Sequence, residues 1–495
     1  MQGKKGFEPK LFYNISLAKF IGEDHFLMKL DEILSLEWIR QRTRSYYSHT
    51  GKPSIDPVVL IKMLLVGYLY DIRSERRLVE EVRLNLAYRW YVGYDLDEEI
   101  PDHSIFTKAR ARFGRELFLE LFEEILAECV RAGLVRGDGI LIDSTLVRAD
   151  ASLNSVIEVD LPPEIYWREL DTEEERSDNP RGRKPKDGHR ASQVGAIFNG
   201  EVDPEKLGKR RRDRNASYLR KRSKTDPDAT MHYRPGIGGI LSYKVHAAAD
   251  TGGVVTAITV SPSSEHDTSE LPALLSMHSK NLGKPVSVAA DSTYGTSEAL
   301  LFLQEQEIKT AIPPMAPRGQ QGCFSKNAFT WDKEADHYVC PEGKILSRRG
   351  KNQKTGQIPY KARPEDCSSC PSRHRCISGK KAKARSVSRL DGDFFEQAEE
   401  FLESPAGTSL FALRKTVIEG IFGRFKTQHG LSRAKMRGLE KMEIQALMTA
   451  TVINLKKLVR HSSREALFML YARLKKGRKM SPKFVEVVSS RSAAT

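Results

Sequence analysis

Two stretches, GILIDSTLV at Gly139–Val147 and VAADSTYG at Val288–Gly295, share one design: small and apolar residues running into Asp-Ser-Thr. A short apolar run bounded by polar residues reads as a strand buried in a sheet. Where helices cover a sheet, active sites lie outside the strand ends, at the point where side chains leave the core. Two such strands lying side by side would bring Asp143 and Asp291 within reach of one metal ion. A single Asp in this position is ordinarily a turn former or helix N-cap, so the weight rests on the repeated context.

The surrounding pattern extends that sheet. LSYKVHAAAD (241–250) and GVVTAITVSP (253–262) alternate as strands, and TGG at 251–253 supplies hairpin chemistry. DTSELPALLSMH (267–278) and SEALLFLQEQ (297–306) read as helices, and KTAIPPM (309–315) as a short strand. The order predicts a mixed α/β sheet flanked by helices. Residues 144–236 are polar, basic and rich in turn residues, which marks an insertion or linker, and periodicity fails again from 317 to about 395. Helical patterns resume at Leu410 and continue through MEIQALMTATVINLKKLVRH (442–461).

Residues 1–135 read as helices. Asp56 at an N-cap with Pro57 at the first helical position opens one, Ser74 opens a second that runs to Val92, and Asp102 opens a third that breaks at Gly114. Short helices joined by tight turns suit a helix-turn-helix DNA reader, with Thr107, Lys108, Arg110 and Arg112 on its recognition helix. A plain helical bundle is the alternative.

The net charge is +15, from 80 Lys and Arg against 65 Asp and Glu, and the pI is about 9.4. A clustered basic surface gains from releasing counterions condensed on phosphates, so the first partner to consider is a polyanion. Between Lys206 and Lys224, ten cations, among them Arg211 and Arg212, face one acid, Asp213. A solvated linker is the competing reading of this run. Hydrophobic content of 39% and the lack of a long apolar run argue for a soluble globular protein without a membrane span. No apolar segment follows the N-terminal lysines, so no secretory signal is expected and the expected location is the cytoplasm.

Glu419 lies in RKTVIEGIFGRFKTQHG among Val417, Ile418, Ile421 and Phe422. Lys415, Glu419 and Lys426, at i, i+4 and i+11, share one helical stripe. A carboxylate between two cations could hold a metal while the lysines hold phosphate; a surface ion pair is the ordinary alternative.

Asp143, Asp291 and a helical Glu419 followed by GRFKTQHGLSRAKMRG together resemble the bacterial insertion-sequence transposases with an RNase H-like DDE catalytic domain. The N-terminal stretch from Asp56 to Gly114 resembles the helical domain of one large group of them, in which TDPDA (225–229) also recurs. The resemblance implies that Asp143, Asp291 and Glu419 form a triad holding Mg²⁺ or Mn²⁺. It also implies two-metal phosphoryl transfer that cleaves element ends and joins strands. Within the group's Tyr-Arg-Glu-Lys signature the Lys is Lys426, but the Arg position holds Lys415 and the Tyr position Ala412. Lys lacks the bidentate fork of Arg, so either this contact is weaker or Arg414 supplies it. Arg424 and the other cations named would contact DNA.

The resulting division has five parts. A helix-turn-helix-like domain spans 1–135 and the first part of the catalytic core 136–315, with its basic insertion at 144–236. An irregular cysteine-containing insertion spans 316–405, the helices carrying Glu419 span 406–465, and a basic tail spans 466–495. The implied partners are double-stranded DNA, as terminal inverted repeats and target, and a second copy of the chain. A metal-dependent nuclease or recombinase without transposition, and a non-catalytic sequence-specific DNA-binding protein, are the competing functions.

Of six cysteines, Cys129 sits in an apolar helix and reads as a core thiol. Cys340 and the run Cys367, Cys370, Cys376 suggest Zn²⁺ more than a disulfide in a cytosolic protein, with His374 as a substitute ligand and Cys323 upstream. Reduced, uncommitted thiols are the alternative. Asp267 reads as the N-cap of the helix that follows it, with a role beside His266 near the metals as the second reading, and His246 as a core or surface histidine.

Overall fold

The computed structural model describes residues 16–48, 50, 54–158, 221–234, 238–314, 323–324, 326–332, 334–350, 357–377, 382–390 and 394–477. They form two compact units, one drawn from 1–137, 144–284 and 417–495, the other from 138–143 and 285–416.

The first unit opens with helices α1 (Leu17–Ile21), α2 (Phe26–Ile33) and α3 (Trp38–Thr43). Helix α4 (Pro57–Leu69) starts as its sequence predicts: the Asp56 carboxylate accepts the Val58 N–H at 2.9 Å and Pro57 fills the first turn. The pattern from Ser74 to Val92 is two helices, α5 (Glu75–Leu84) and α6 (Leu86–Val92). Asn85 divides them. Its backbone is extended and its side chain accepts the N–H groups of Ala87 and Tyr88, so a capping bond outcompetes helix continuation. In α7 (Ser104–Arg131) the axis breaks at Gly114, with φ 64° and ψ −170°, a conformation that a side chain would disfavour.

Strand β1 (Ile140–Arg148) is followed by the short antiparallel pair β2 (Val156–Glu158) and β3 (Lys221–Ser223). Then come β4 (Thr230–Arg234), β5 (Gly238–Asp250), β6 (Val255–Pro262) and helix α8 (Leu271–Leu282). The order is β4-β5-β1, with β6 antiparallel on β5 through the 251–254 turn. The Asp250 carboxylate closes that turn by accepting the N–H groups of Gly252 and Val254.

The second unit takes the start of β1, β7 (Ser287–Ala289), helix α9 (Ser297–Glu305) and β8 (Lys309–Ala311), with β1-β7-β8 all parallel. The segment expected to be irregular instead carries a five-stranded antiparallel sheet, in order β13-β12-β11-β10-β9. Its strands are β9 (Thr330–Asp332), β10 (His337–Val339), β11 (Ile345–Arg348), β12 (Gln357–Ala362) and β13 (Ser386–Leu390), with α10 (Pro364–Ser368) and α11 (Arg373–Cys376) between the last two. Tyr338, Leu346, Ile358, Tyr360 and Val387 make its core. Strands this short carry too few alternations to register as a period.

Helix α12 (Phe394–Glu403) precedes α13 (Pro405–Gln428) and α14 (Leu439–Gly477). In the first unit α14 packs on α7 and β6. Buried Asn454 knits it to the strand, donating to the Val255 carbonyl at 2.8 Å and accepting the Val255 N–H at 2.9 Å. Among the described residues no helix is long and apolar enough to cross a membrane.

Candidate active site

In the second unit the pairing of β1 with β7 places the two carboxylates after one matched pair. Leu141 is opposite Ala289 in a parallel pair, and Asp143 and Asp291 each follow two residues later. Side chains repeat their direction every second residue along a strand, so Asp143 continues the direction of Leu141 on β1, whereas Asp291 lies beyond the last residue of β7, where the alternation no longer applies. Asp291 lies just past the end of β7, where its side chain accepts the Thr293 N–H at 2.9 Å and its carbonyl the Tyr294 N–H at 3.1 Å. Asp143 does not end its strand. It is the fourth residue of β1, because the polar residues after it remain paired and the strand runs on to Arg148.

A cation already attends Asp143. Arg414, on the part of α13 in the same unit, donates from Nη1 to Asp143 Oδ2 at 2.8 Å, and the two side chains are 11% and 17% exposed. Such a shielded pair is weakly screened, and removal of either partner would strand the other's charge.

Within the first unit, Asp267 is not an N-cap: His266 caps a short 3-10 turn at Asp267–Glu270, its ring accepting the Thr268 N–H, and Glu270 stands at the N-cap of α8. Asp267 instead accepts from Lys244 at 2.6 Å and from the Ser144 hydroxyl at 3.1 Å. Burial works against its charge, but Lys244 and Ser144 hold the carboxyl below its ordinary range. His246 is a core histidine, fully buried and hydrogen-bonded to Ser261 at 2.9 Å; burial pulls its pKa down to about 4.

Glu419 is exposed on α13, as is Lys415, whereas Lys426 and Arg424 are half-buried. Burial and nearby Arg460 lower the Arg424 pKa. Lys456 is lowered by burial, Arg460 and Arg424, and Lys457 by burial and Arg424 against the opposing pull of Asp250. These cations of α14 escape a sequence reading because their closeness to Arg424 arises only from packing.

TDPDA acquires a local role. Asp226 accepts the Tyr243 hydroxyl at 2.5 Å and the Gly438 N–H at 3.1 Å, and Asp228 accepts the Leu439 N–H at 2.8 Å. The two carboxylates thus seat the N-terminus of α14, where N–H groups lack partners inside the helix. The preceding segment runs beside β1: Arg148 donates to the Ser432 carbonyl and accepts the Ala434 N–H, and Arg433 and Arg437 both reach Asp150.

On α7, Thr107, Lys108 and Arg112 are exposed, and Arg112 lies over the Tyr47 ring at 4.8 Å. Arg110 is turned inward. It is 8% exposed and ion-paired with Glu75, which removes it from the DNA-contact set. Arg211 and Arg212 lie outside the described residues.

Cys340, Cys367, Cys370 and Cys376 all line one cavity in the second unit, with Phe324 and Leu346 among its apolar walls. Burial raises the Cys376 thiol, as do the three other sulfurs, against the effect of Arg385. His374 is exposed and is not among the lining residues, and neither is Cys323. As the side chains stand, among the described residues no three His, Cys, Asp or Glu are disposed to hold a metal ion. Cys129 is buried, and burial pushes its pKa up to about 12.

Two family models match the chain: a transposase domain (DUF772) over residues 15–112 and a transposase DDE domain over residues 339–459. The first covers the N-terminal helices as far as Arg112, in the first part of α7, and the second runs from the cysteine module through Glu419 into α14. Each match covers less than half of the chain, which is similar to transposase domains over these two segments. No curated protein matches the chain.

Proposed function

We propose that the chain is a DNA transposase that cleaves the ends of a mobile element and joins them to target DNA, using Asp143, Asp291 and Glu419 in an RNase H-like catalytic core. The observation that carries this reading is that Asp143 and Asp291 each follow by two residues one matched pair, Leu141 and Ala289, of adjacent parallel strands. Glu419 enters the set through the sequence resemblance, on α13 between Lys415 and Lys426.

The donor set fits Mg²⁺ or Mn²⁺, hard cations that prefer a few carboxylates completed by water and substrate phosphate. In its ion pair with Arg414 the Asp143 carboxylate already holds one cation. When bound, divalent ions supply nucleophile activation and charge neutralisation for in-line attack on a phosphodiester. The protein's residues do the positioning. Asp143, Asp291 and Glu419 hold the ions, and Lys415 and Lys426 flank Glu419 and grip the phosphate backbone. Arg424, with Lys456, Lys457 and Arg460, extends that grip. Lys108 and Arg112 on α7 contact the duplex ends, Arg211 and Arg212 add to the backbone contacts, and two copies of the chain bridge two ends.

The test is a reaction of the purified chain, Mg²⁺ and labelled duplexes taken from the DNA flanking its reading frame. Cleavage at a defined terminus followed by joined products supports transposition. Cleavage without joining identifies a nuclease, and binding without cleavage in either Mg²⁺ or Mn²⁺ rejects catalysis.

A further inference from the structure

The hairpin between β10 and β11 turns tightly at Cys340. The Cys340 N–H donates to the Lys344 carbonyl at 2.8 Å, the Gly343 N–H to the Cys340 carbonyl at 2.8 Å, and the Lys344 N–H to the Cys340 sulfur at 3.3 Å. Gly343 has φ +72°, which lets this backbone fold over the sulfur. An N–H aimed at sulfur favours thiolate over thiol, since hydrogen bonding to the charged form lowers its cost.

The other three cysteines are fixed in the same way, through their backbones. Arg373 Nη1 donates to the Cys367 carbonyl at 2.8 Å, the Arg373 N–H closes a turn on the Cys370 carbonyl at 3.1 Å, and Arg385 donates to the Cys376 carbonyl at 2.9 Å. Four cysteines therefore line one largely apolar cavity from two turns, one in the hairpin and one between β12 and β13. Each cysteine has a single side-chain torsion, so its sulfur can change position by rotation about χ1.

We propose that Cys340, Cys367, Cys370 and Cys376 form a structural Zn²⁺ site that staples the β10–β11 hairpin to the α10–α11 segment. Zn²⁺ replaces the thiol protons, which leave to solvent, and closes a tetrahedral four-thiolate shell with no position left for substrate. The site belongs to the fold of the five-stranded sheet and stands whether or not the chain cleaves DNA.

Metal analysis of the full-length protein purified under reducing conditions tests this. The expected result is about one zinc per chain, as for a closed structural site. The zinc is lost in Cys340→Ser and Cys370→Ser and kept in Cys129→Ser and Cys323→Ser. Should the first two variants fail to fold, Co²⁺ substituted into the wild-type chain decides, by showing the sulfur-to-metal charge-transfer and ligand-field bands of a tetrahedral thiolate site. Wild-type protein that holds far less than one zinc per chain even after incubation with Zn²⁺, zinc retained by Cys340→Ser and Cys370→Ser, or a Co²⁺ spectrum without thiolate bands overturns the proposal.

Discussion

Asp143 and Asp291 each stand two residues beyond the matched parallel pair Leu141 and Ala289, and Arg414 rests against Asp143 at 2.8 Å. A carboxylate paired with a guanidinium can exchange that cation for a metal. The prediction is that Arg414→Ala destabilises the metal-free chain by about 3 kcal/mol, the typical cost of a shielded charge left unpaired. Millimolar Mg²⁺ should then raise the melting temperature of the variant more than that of wild type. Equal shifts would separate the arginine from any metal role.

Asp226 and Asp228 hold the start of α14 through Gly438 and Leu439. Asp228→Ala should cost about 1 kcal/mol, the usual value of a lost helix cap. Asp226→Ala should cost roughly 1–3 kcal/mol, because the buried Tyr243 hydroxyl loses its acceptor. Urea denaturation measures both, and an Asp226→Ala variant as stable as wild type would contradict this role.

Lys108 and Arg110 separate binding from folding within one helical turn. Lys108→Ala should weaken DNA binding and flatten its salt dependence while leaving the melting temperature unchanged. Arg110→Ala should lower stability, since Glu75 loses its partner. Filter binding over a salt series and thermal melts of both variants check this, and the reverse assignment of effects would refute it.

His246, His278 and His429 are buried, and in each burial pulls the pKa down to about 4. The unfolded chain takes up protons near the ordinary value of 6.5, so between that pH and about 4 it binds more protons than the folded one. Stability therefore falls as pH drops through this window, each group adding at most about 1.4 kcal/mol per pH unit. Chemical denaturation from pH 7 to 4.5 should show the decline, and His246→Gln should reduce its slope.

Much of this was legible where the cause is local. Asp56-Pro57 starts a helix, Gly114 breaks one and Thr251-Gly252-Gly253 turns a hairpin, because in each case backbone chemistry decides within a few residues. The Asp143 and Asp291 strands could be found from their apolar runs, but the extension of β1 past Asp143 could not, since the polar Ser144 and Thr145 interrupt the apolar run before Leu146 and buried Val147. Arg414 was readable as a cation near Glu419 but not as the partner of Asp143, 271 residues away. Arg110 fails as a surface residue for the same reason: the helical stripe was visible, and which side Glu75 would cover was not. In the cysteine module, short strands hid an ordered sheet while the Cys spacing still showed.

The central claim is that Asp143 and Asp291 are the carboxylates that make DNA cleavage metal-dependent. Its most direct test is cleavage of an element-end duplex by wild type, Asp143→Asn and Asp291→Asn at saturating Mg²⁺, with binding to the same duplex measured in parallel. The account predicts that each substitution abolishes cleavage and leaves DNA affinity within a few-fold of wild type. Cleavage that persists in either variant would contradict it.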